Sequence, residues 1–118
     1  MSRTETEYPH EAPRIVHPTE RDWEETLAAT PGVMIVDFWA PWCGPCRAIA
    51  PVLEDLVRTS GGTVTLAKVN VDEQPGLAAR FEIHAIPTLL FVKDGRIVDQ
   101  VVGAVPKAEL QRRLDTLG

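Results

Sequence analysis

Cysteine is scarce in this sequence: the 118 residues contain two, and they lie three positions apart at Cys43 and Cys46. Small secreted domains are often held together by several disulfides, and two neighbouring cysteines cannot form such a framework. In a reducing compartment, a pair of this kind is instead typical of a redox-active or a metal-binding site. The scarcity therefore excludes a disulfide-stapled domain and directs attention to one short segment.

Long apolar runs are also missing. None reaches the roughly 20 residues that a membrane-spanning helix needs. The N-terminal segment MSRTETEYPHEAP has no apolar core of the kind that signal peptides contain. We therefore expect a protein that is cytoplasmic and has no membrane partner.

Basic residues are outnumbered, since 12 Lys and Arg face 17 Asp and Glu and give a formal net charge of -5. Nucleic acids and anionic membranes are bound by basic patches, so we do not expect nucleic acid as a partner. With 44% hydrophobic and 25% charged residues, the composition is that of a globular protein of one domain. Residues 1–13 are polar and contain two prolines, so we expect a flexible N-terminal tail followed by a single folded domain over 14–118.

The central part of the chain has the pattern of a parallel βαβ unit. VMIVDFWA (33–40) is a nearly continuous apolar run, which is typical of a strand covered on both faces. After the cysteines, apolar residues recur at helical spacing until Gly61-Gly62, and TVTLAKVNVD (63–72) forms the next strand. A strand, a helix and a second strand predict two parallel neighbours in one sheet.

The flanking segments complete an α/β protein. Asp94-Gly95 joins two β-rich runs and predicts a hairpin. Helices are predicted from Pro18-Thr19 to about Ala29, with Thr19 and Asp22 as a capping box, after Pro75, and after Pro106. RIV (14–16) could form a short edge strand. We therefore expect one mixed sheet with helices on both faces.

Asp37 interrupts the first apolar strand, where an unpartnered carboxylate would be costly. Lys68 interrupts the second strand in the same way, so the two charges could compensate each other. Two interpretations follow. Asp37 could act on the nearby thiols as a group with a raised pKa, or the two residues could form a structural ion pair without a functional role.

Cys43 lies where a strand ends and a helix begins. Free backbone N–H groups and the helix dipole favour a thiolate at such a position. Cys46 lies about one turn further on the same face, close enough to form a disulfide. Cys43 could therefore attack a substrate disulfide as an exposed thiolate, and the more recessed Cys46 could resolve the mixed disulfide.

Two alternatives compete with a redox function for the cysteines. A structural zinc ion needs four ligands, and the available histidines, at His10, His17 and His84, do not have zinc-finger spacing. No metal site is therefore expected. A static disulfide is disfavoured by a reducing compartment and by the short loop that it would close.

The segments VDFWAPWCGPC and AKVNVDEQPGLAARFEIHAIPTLLFVKDG, together with Val102-Gly103, resemble the thioredoxin family. The resemblance extends from about Pro18 to the C-terminus. It implies the thioredoxin fold, with a central mixed β-sheet of about five strands flanked by about four helices.

The resemblance also implies roles for individual residues. Cys43 matches the nucleophile and Cys46 the resolving thiol of a redox-active disulfide. Asp37 matches a buried carboxylate that assists proton transfer from the second cysteine through water, and Lys68 matches the lysine that tunes this carboxylate. Pro87 matches a cis-proline that faces the disulfide; an arbitrary X-Pro bond would be cis in only about 5–6% of cases. The matching substrate-binding surface consists of Trp42, Gly44, Pro45, Ile86, Pro87, Gly103 and Ala104.

The implied function is protein-disulfide reduction by dithiol–disulfide exchange. Gly44-Pro45 matches the reducing members of the family, whereas the oxidising and isomerising relatives usually carry a histidine in this gap. The resemblance further implies disulfide-containing client proteins, no bound cofactor, and a monomer recharged with electrons from NADPH by a thioredoxin reductase. His84-Ala85 lies where relatives vary, and His84 is expected at the surface. Two functions compete with this one: an electron donor dedicated to one client, and a binding module whose redox chemistry is incidental.

Overall fold

A computed structural model describes residues 14–118, and the predicted tail over 1–13 lies outside the described residues. The strands are β1 (Ile15–Val16), β2 (Val33–Trp39), β3 (Val64–Asn70), β4 (Thr88–Lys93) and β5 (Arg96–Val102). The helices are α1 (Trp23–Ala29), α2 (Gly44–Arg58), α3 (Pro75–Arg80) and α4 (Lys107–Leu117). None of these helices is long and apolar enough to cross a membrane.

The five strands form one mixed sheet in the order β1-β3-β2-β4-β5. β1 and β2 both run parallel to β3, whereas β4 is antiparallel to β2 and β5 to β4. The predicted βαβ unit and the predicted hairpin are thus confirmed. Asp94 and Gly95 connect the hairpin with φ angles of 53° and 79°, as a two-residue turn between twisted strands requires.

Each face of the sheet buries its own apolar core. Alternate residues of β2 point to opposite faces, so Ile35 packs with α2 and α4 while Val36 packs with α1 and α3. This explains why β2 is apolar at nearly every position. The predicted arrangement, with helices on both faces, is confirmed.

The first helix begins later than predicted. Thr19 and Asp22 do form the reciprocal hydrogen bonds of a capping box, with N···O distances of 2.7 and 3.2 Å. However, these bonds close a turn, and the first helical bond joins the Thr26 N–H to the Asp22 carbonyl. Regular helix therefore begins at Trp23, and Asp22 rather than Thr19 is its N-cap.

Candidate active site

The two cysteines lie at the end of the sheet where β2 gives way to α2. They are joined by a disulfide with a Cα–Cα distance of 5.2 Å. Cys43 is the N-cap of α2, and the backbone N–H of Cys46 donates to its sulfur at 3.2 Å. A hydrogen bond and a helix N-terminus directed at the same sulfur favour its thiolate once the disulfide is reduced. The geometry is therefore in line with the prediction that Cys43 is the attacking thiol.

The expected contrast in exposure between the cysteines is small. Cys43 is 5% exposed and Cys46 is 2% exposed. Both pack against Ala40, and Trp39 and Ile86 contact the same cluster. The prediction of a clearly exposed Cys43 is therefore wrong for the disulfide form, because neighbouring apolar side chains surround both sulfurs.

The segment around Pro87 lies next to the disulfide. The Ile86-Pro87 peptide bond is cis, which confirms the expectation that the resemblance gave. The Ile86 carbonyl oxygen lies 3.9 Å from the Cys43 sulfur. The Gly103 N–H donates to the Pro87 carbonyl at 2.8 Å, so the end of β5 joins the same site. Pro87 itself is buried, whereas Ile86 is partly exposed.

The surface around the disulfide is apolar and open. Trp42 is 67% exposed, and its indole N–H donates to the Asp72 carboxylate at 2.9 Å. Trp42, Ile86 and the exposed His84 line one shallow groove of about 190 Å³. Gly44 and Pro45 are exposed in the first turn of α2, and Ala104 is exposed after β5. Of the predicted substrate-binding residues, all but Pro87 thus have accessible surface.

Asp37 is buried in β2, between its register partners Lys68 on β3 and Leu89 on β4. It is 1% exposed, and no group within residues 14–118 donates a hydrogen bond to its Oδ1 atom. Burial raises the pKa of Asp37 from 3.8 to about 6, while the positive charge of Lys68 partly lowers it. A carboxyl with this pKa can accept or release a proton near neutral pH. No hydrogen bond in the described chain joins Asp37 to either sulfur.

Lys68 lies beside Asp37 in the sheet but pairs elsewhere. Its Nζ atom is 4.0 Å from Glu54 Oε2 on α2 and 5.1 Å from the centre of the Trp39 ring. No ion pair within 4 Å joins Lys68 to Asp37 in the part of the chain that the structure describes. The structural interpretation, in which the two residues form a direct ion pair, is therefore not supported by the geometry.

A metal site has little support in this geometry. Within residues 14–118, no group of three or more His, Cys, Asp or Glu side chains could hold a metal ion. Of the histidines weighed above, His10 lies outside the described residues.

Comparison with known proteins identifies the family. The family model described as Thioredoxin matches residues 14–116. A thioredoxin from Staphylococcus haemolyticus is 50% identical over 101 residues, which cover 86% of this chain and 95% of that protein. The chain belongs to the thioredoxin family. A chloroplastic thioredoxin of the M type from Pisum sativum is 44% identical over 96 residues, covering 81% of this chain and 56% of the pea protein.

A solved structure supports the same fold. A mutant thioredoxin from Halobacterium salinarum superposes with a TM-score of 0.80 at 29% identity, covering 88% of this chain and 90% of that chain. Membership of the thioredoxin family, together with the Cys43–Cys46 disulfide, makes the protein a protein-disulfide oxidoreductase that acts by dithiol–disulfide exchange on disulfide-containing proteins.

Sequence reasoning missed three residues at this thioredoxin site. Asp72 holds the Trp42 indole, Val102 adds an exposed apolar side chain next to Gly103, and Glu54 contacts Lys68. The sequence does indicate Asp72, because this residue follows β3 at the sheet edge where β2 also ends. It does not indicate Glu54, since which helix residue reaches Lys68 depends on how α2 lies across the sheet.

Proposed function

We propose that this protein reduces disulfides in other proteins. The Cys43 thiolate attacks one sulfur of a client disulfide, forms a mixed disulfide and releases the other client sulfur as a thiolate. Cys46 then loses its proton and attacks Cys43, which restores the Cys43–Cys46 disulfide and releases the second client thiol. Two electrons pass to the client, and the two client sulfurs take up two protons.

Asp37 is proposed to accept the proton that Cys46 loses. A recessed thiol needs a base before it can attack, and a carboxyl with a pKa of about 6 can serve near neutral pH. The proton passes through water, because no hydrogen bond among the described residues joins Asp37 to the cysteines. Lys68 tunes this carboxyl by its charge.

The direction of transfer follows from the residues between the cysteines. The Gly44-Pro45 pair carries no ionisable side chain that would stabilise the Cys43 thiolate further. A less stabilised thiolate leaves the dithiol more strongly reducing. This supports net reduction of clients rather than their oxidation.

The partners and electron source are part of the proposal. Electrons come from NADPH through a thioredoxin reductase, and the protein needs no bound cofactor of its own. It acts as a monomeric electron carrier in the cytoplasm, where it maintains protein thiols. Clients dock on the exposed surface of Trp42, Gly44, Pro45, Ile86, Gly103 and Ala104, which borders the buried Pro87.

One observation carries this proposal: the Cys43 sulfur at the start of α2 lies 3.9 Å from the Ile86 carbonyl oxygen, next to the exposed apolar side chain of Trp42. An extended client segment can approach the sulfur there. A protein that only bound partners would have no need for an attackable sulfur at that point.

The test is NADPH consumption during insulin reduction in the presence of a bacterial thioredoxin reductase. The protein should support continuous NADPH oxidation, and the Cys43→Ser variant should not. The contrary result is that the reductase reduces the Cys43–Cys46 disulfide but the addition of insulin causes no continuous NADPH oxidation. The protein would then be a dedicated donor or a binding module instead of a general reductase.

A further inference from the structure

Glu54 lies on α2, two turns beyond Cys46, and it is outside the substrate surface. Its carboxylate faces the ammonium of Lys68 at 4.0 Å, and its side chain is 46% exposed. Lys68 has three neighbours of interest: Glu54, the face of Trp39, and Asp37 in the next strand. The position of one ammonium group thus links a solvent-exposed carboxylate to a buried one.

The surroundings of Asp37 contain few other charges. Asp37 lies on the sheet face that α2 and α4 cover, because it alternates with Ile35 along β2. β4 contributes the apolar Leu89 beside it. The remaining charged groups of the two helices are engaged elsewhere: Arg47 with the Pro41 carbonyl, Asp55 with Arg58 and Lys107, Glu109 with Arg112 and Arg113, Arg113 with Asp99, and Asp115 with Gln111. Lys68 is the charge that acts on Asp37 within the described chain.

We propose that Glu54 is a positioning residue: by holding the ammonium of Lys68, it limits how strongly that ammonium stabilises the ionised form of Asp37. This inference rests on the proposed function, in which Asp37 accepts the Cys46 proton. An ammonium shared with Glu54 and Trp39 is drawn away from a direct ion pair with Asp37. Asp37 then retains its proton closer to neutral pH, where the exchange reaction needs a base that can also be protonated.

Removing the charge of Glu54 should lower the pKa of Asp37. Lys68 would lose a competing anion and could approach Asp37. A closer ammonium favours ionised Asp37 and lowers its pKa. Because Glu54 is partly exposed, salt should weaken its effect in the wild type.

The experiment compares Glu54→Gln with Asp55→Asn in the oxidised protein. Both variants remove one negative charge from the same turn of α2, but Asp55 pairs with Arg58 and Lys107 and not with Lys68. The pKa of Asp37 is read from the carboxyl-carbon NMR titration of that residue. Glu54→Gln should lower it by roughly half a pH unit, as expected for partly screened charges, and Asp55→Asn should leave it unchanged.

A second comparison tests whether Lys68 mediates the effect. In a Lys68→Met background, adding Glu54→Gln should shift the Asp37 titration by much less than it does in the wild-type background. An unchanged Asp37 pKa in Glu54→Gln, or an equal shift with Asp55→Asn, would overturn the proposal. So would an undiminished shift in the Lys68→Met background.

The titration is independent of turnover, which separates this proposal from the proposed function. The acid limb of insulin reduction should move to lower pH in Glu54→Gln together with the Asp37 titration. If the titration moves and the activity profile does not, Glu54 still positions Lys68, and the role of Asp37 as the proton acceptor is contradicted instead.

Discussion

At the scale of single residues, the two cysteine sulfurs differ in their hydrogen-bonding surroundings more than in their exposure. The Cys43 sulfur accepts the Cys46 N–H and lies near the Ile86 carbonyl, at the start of α2. Cys46 lies within the first turn of the helix and is the more buried of the two. This asymmetry supports the proposed roles, in which Cys43 attacks and Cys46 resolves the mixed disulfide.

The assignment predicts different outcomes for the two serine variants. Cys43→Ser should abolish disulfide reduction, because the attacking thiolate at the start of α2 is lost. The reaction of the Cys46→Ser variant should stop at a stable mixed disulfide between Cys43 and the client. Mass spectrometry of non-reduced complexes measures this, and trapping of clients by Cys43→Ser instead of Cys46→Ser would show that the roles are reversed.

The buried carboxyl of Asp37 should make the unfolding free energy of the protein depend on pH. Burial raises its pKa from 3.8 to about 6, against the partial effect of Lys68. A carboxyl whose folded pKa is raised contributes its full stability below the unfolded pKa, and this contribution is lost as pH rises through the folded pKa. Between about pH 4 and about pH 8, the oxidised wild type should therefore lose about 3 kcal/mol of unfolding free energy at this site.

The Asp37→Asn variant isolates that loss, because an amide does not titrate in this range. Its stability should fall less than that of the wild type over the same pH interval, and its rate of client reduction should drop. Denaturant unfolding at several pH values measures the difference. Parallel stability profiles for the two proteins would mean that Asp37 is not the buried, proton-binding carboxyl described above.

At the scale of secondary-structure elements, the loop that leads into β2 depends on Gly32. This residue has a φ of 74°, and a Cβ atom built on it would lie 2.8 Å from the Thr63 carbonyl oxygen. Gly61 has a similar φ of 67° but open space around it. The two positions therefore share the backbone requirement and differ in steric contact.

Gly32→Ala should cost more stability than Gly61→Ala. A left-handed conformation costs a non-glycine residue about 1–2 kcal/mol, which is the full loss expected at Gly61. At Gly32 the contact with Thr63 adds to it, for a total of about 3 kcal/mol. Denaturant unfolding of both variants tests this, and equal losses would contradict the crowding at Gly32.

The elements were largely predictable from local patterns, but not their mutual placement. Apolar periodicity indicated β2, β3 and α2, and the Asp94-Gly95 pair indicated the hairpin, because each signal lies within a few residues. The start of α1 was predicted early because a capping box can also close a turn before a helix. The contact between Glu54 and Lys68 joins residues on different elements, so no local pattern could indicate it.

At the scale of the whole molecule, the disulfide lies at one end of the sheet, and the two apolar cores lie on its two faces. The parallel strands β2 and β3 end at the same edge, so Trp42, which precedes Cys43 after β2, meets Asp72 after β3. The cis state of Pro87 followed from the family resemblance and not from residue chemistry, since X-Pro bonds are mostly trans. The site was thus predictable where the family motifs are present, whereas the contact of Glu54 with Lys68 was not.

The central claim is that the Cys43–Cys46 pair carries electrons to disulfides in other proteins. The most direct measurement is the onset of insulin precipitation with dithiothreitol as the electron source, because it does not depend on which reductase recharges the protein. The wild type should shorten the lag markedly relative to dithiothreitol alone, and Cys43→Ser at the same concentration should not. A wild-type lag equal to that of dithiothreitol alone would contradict the account.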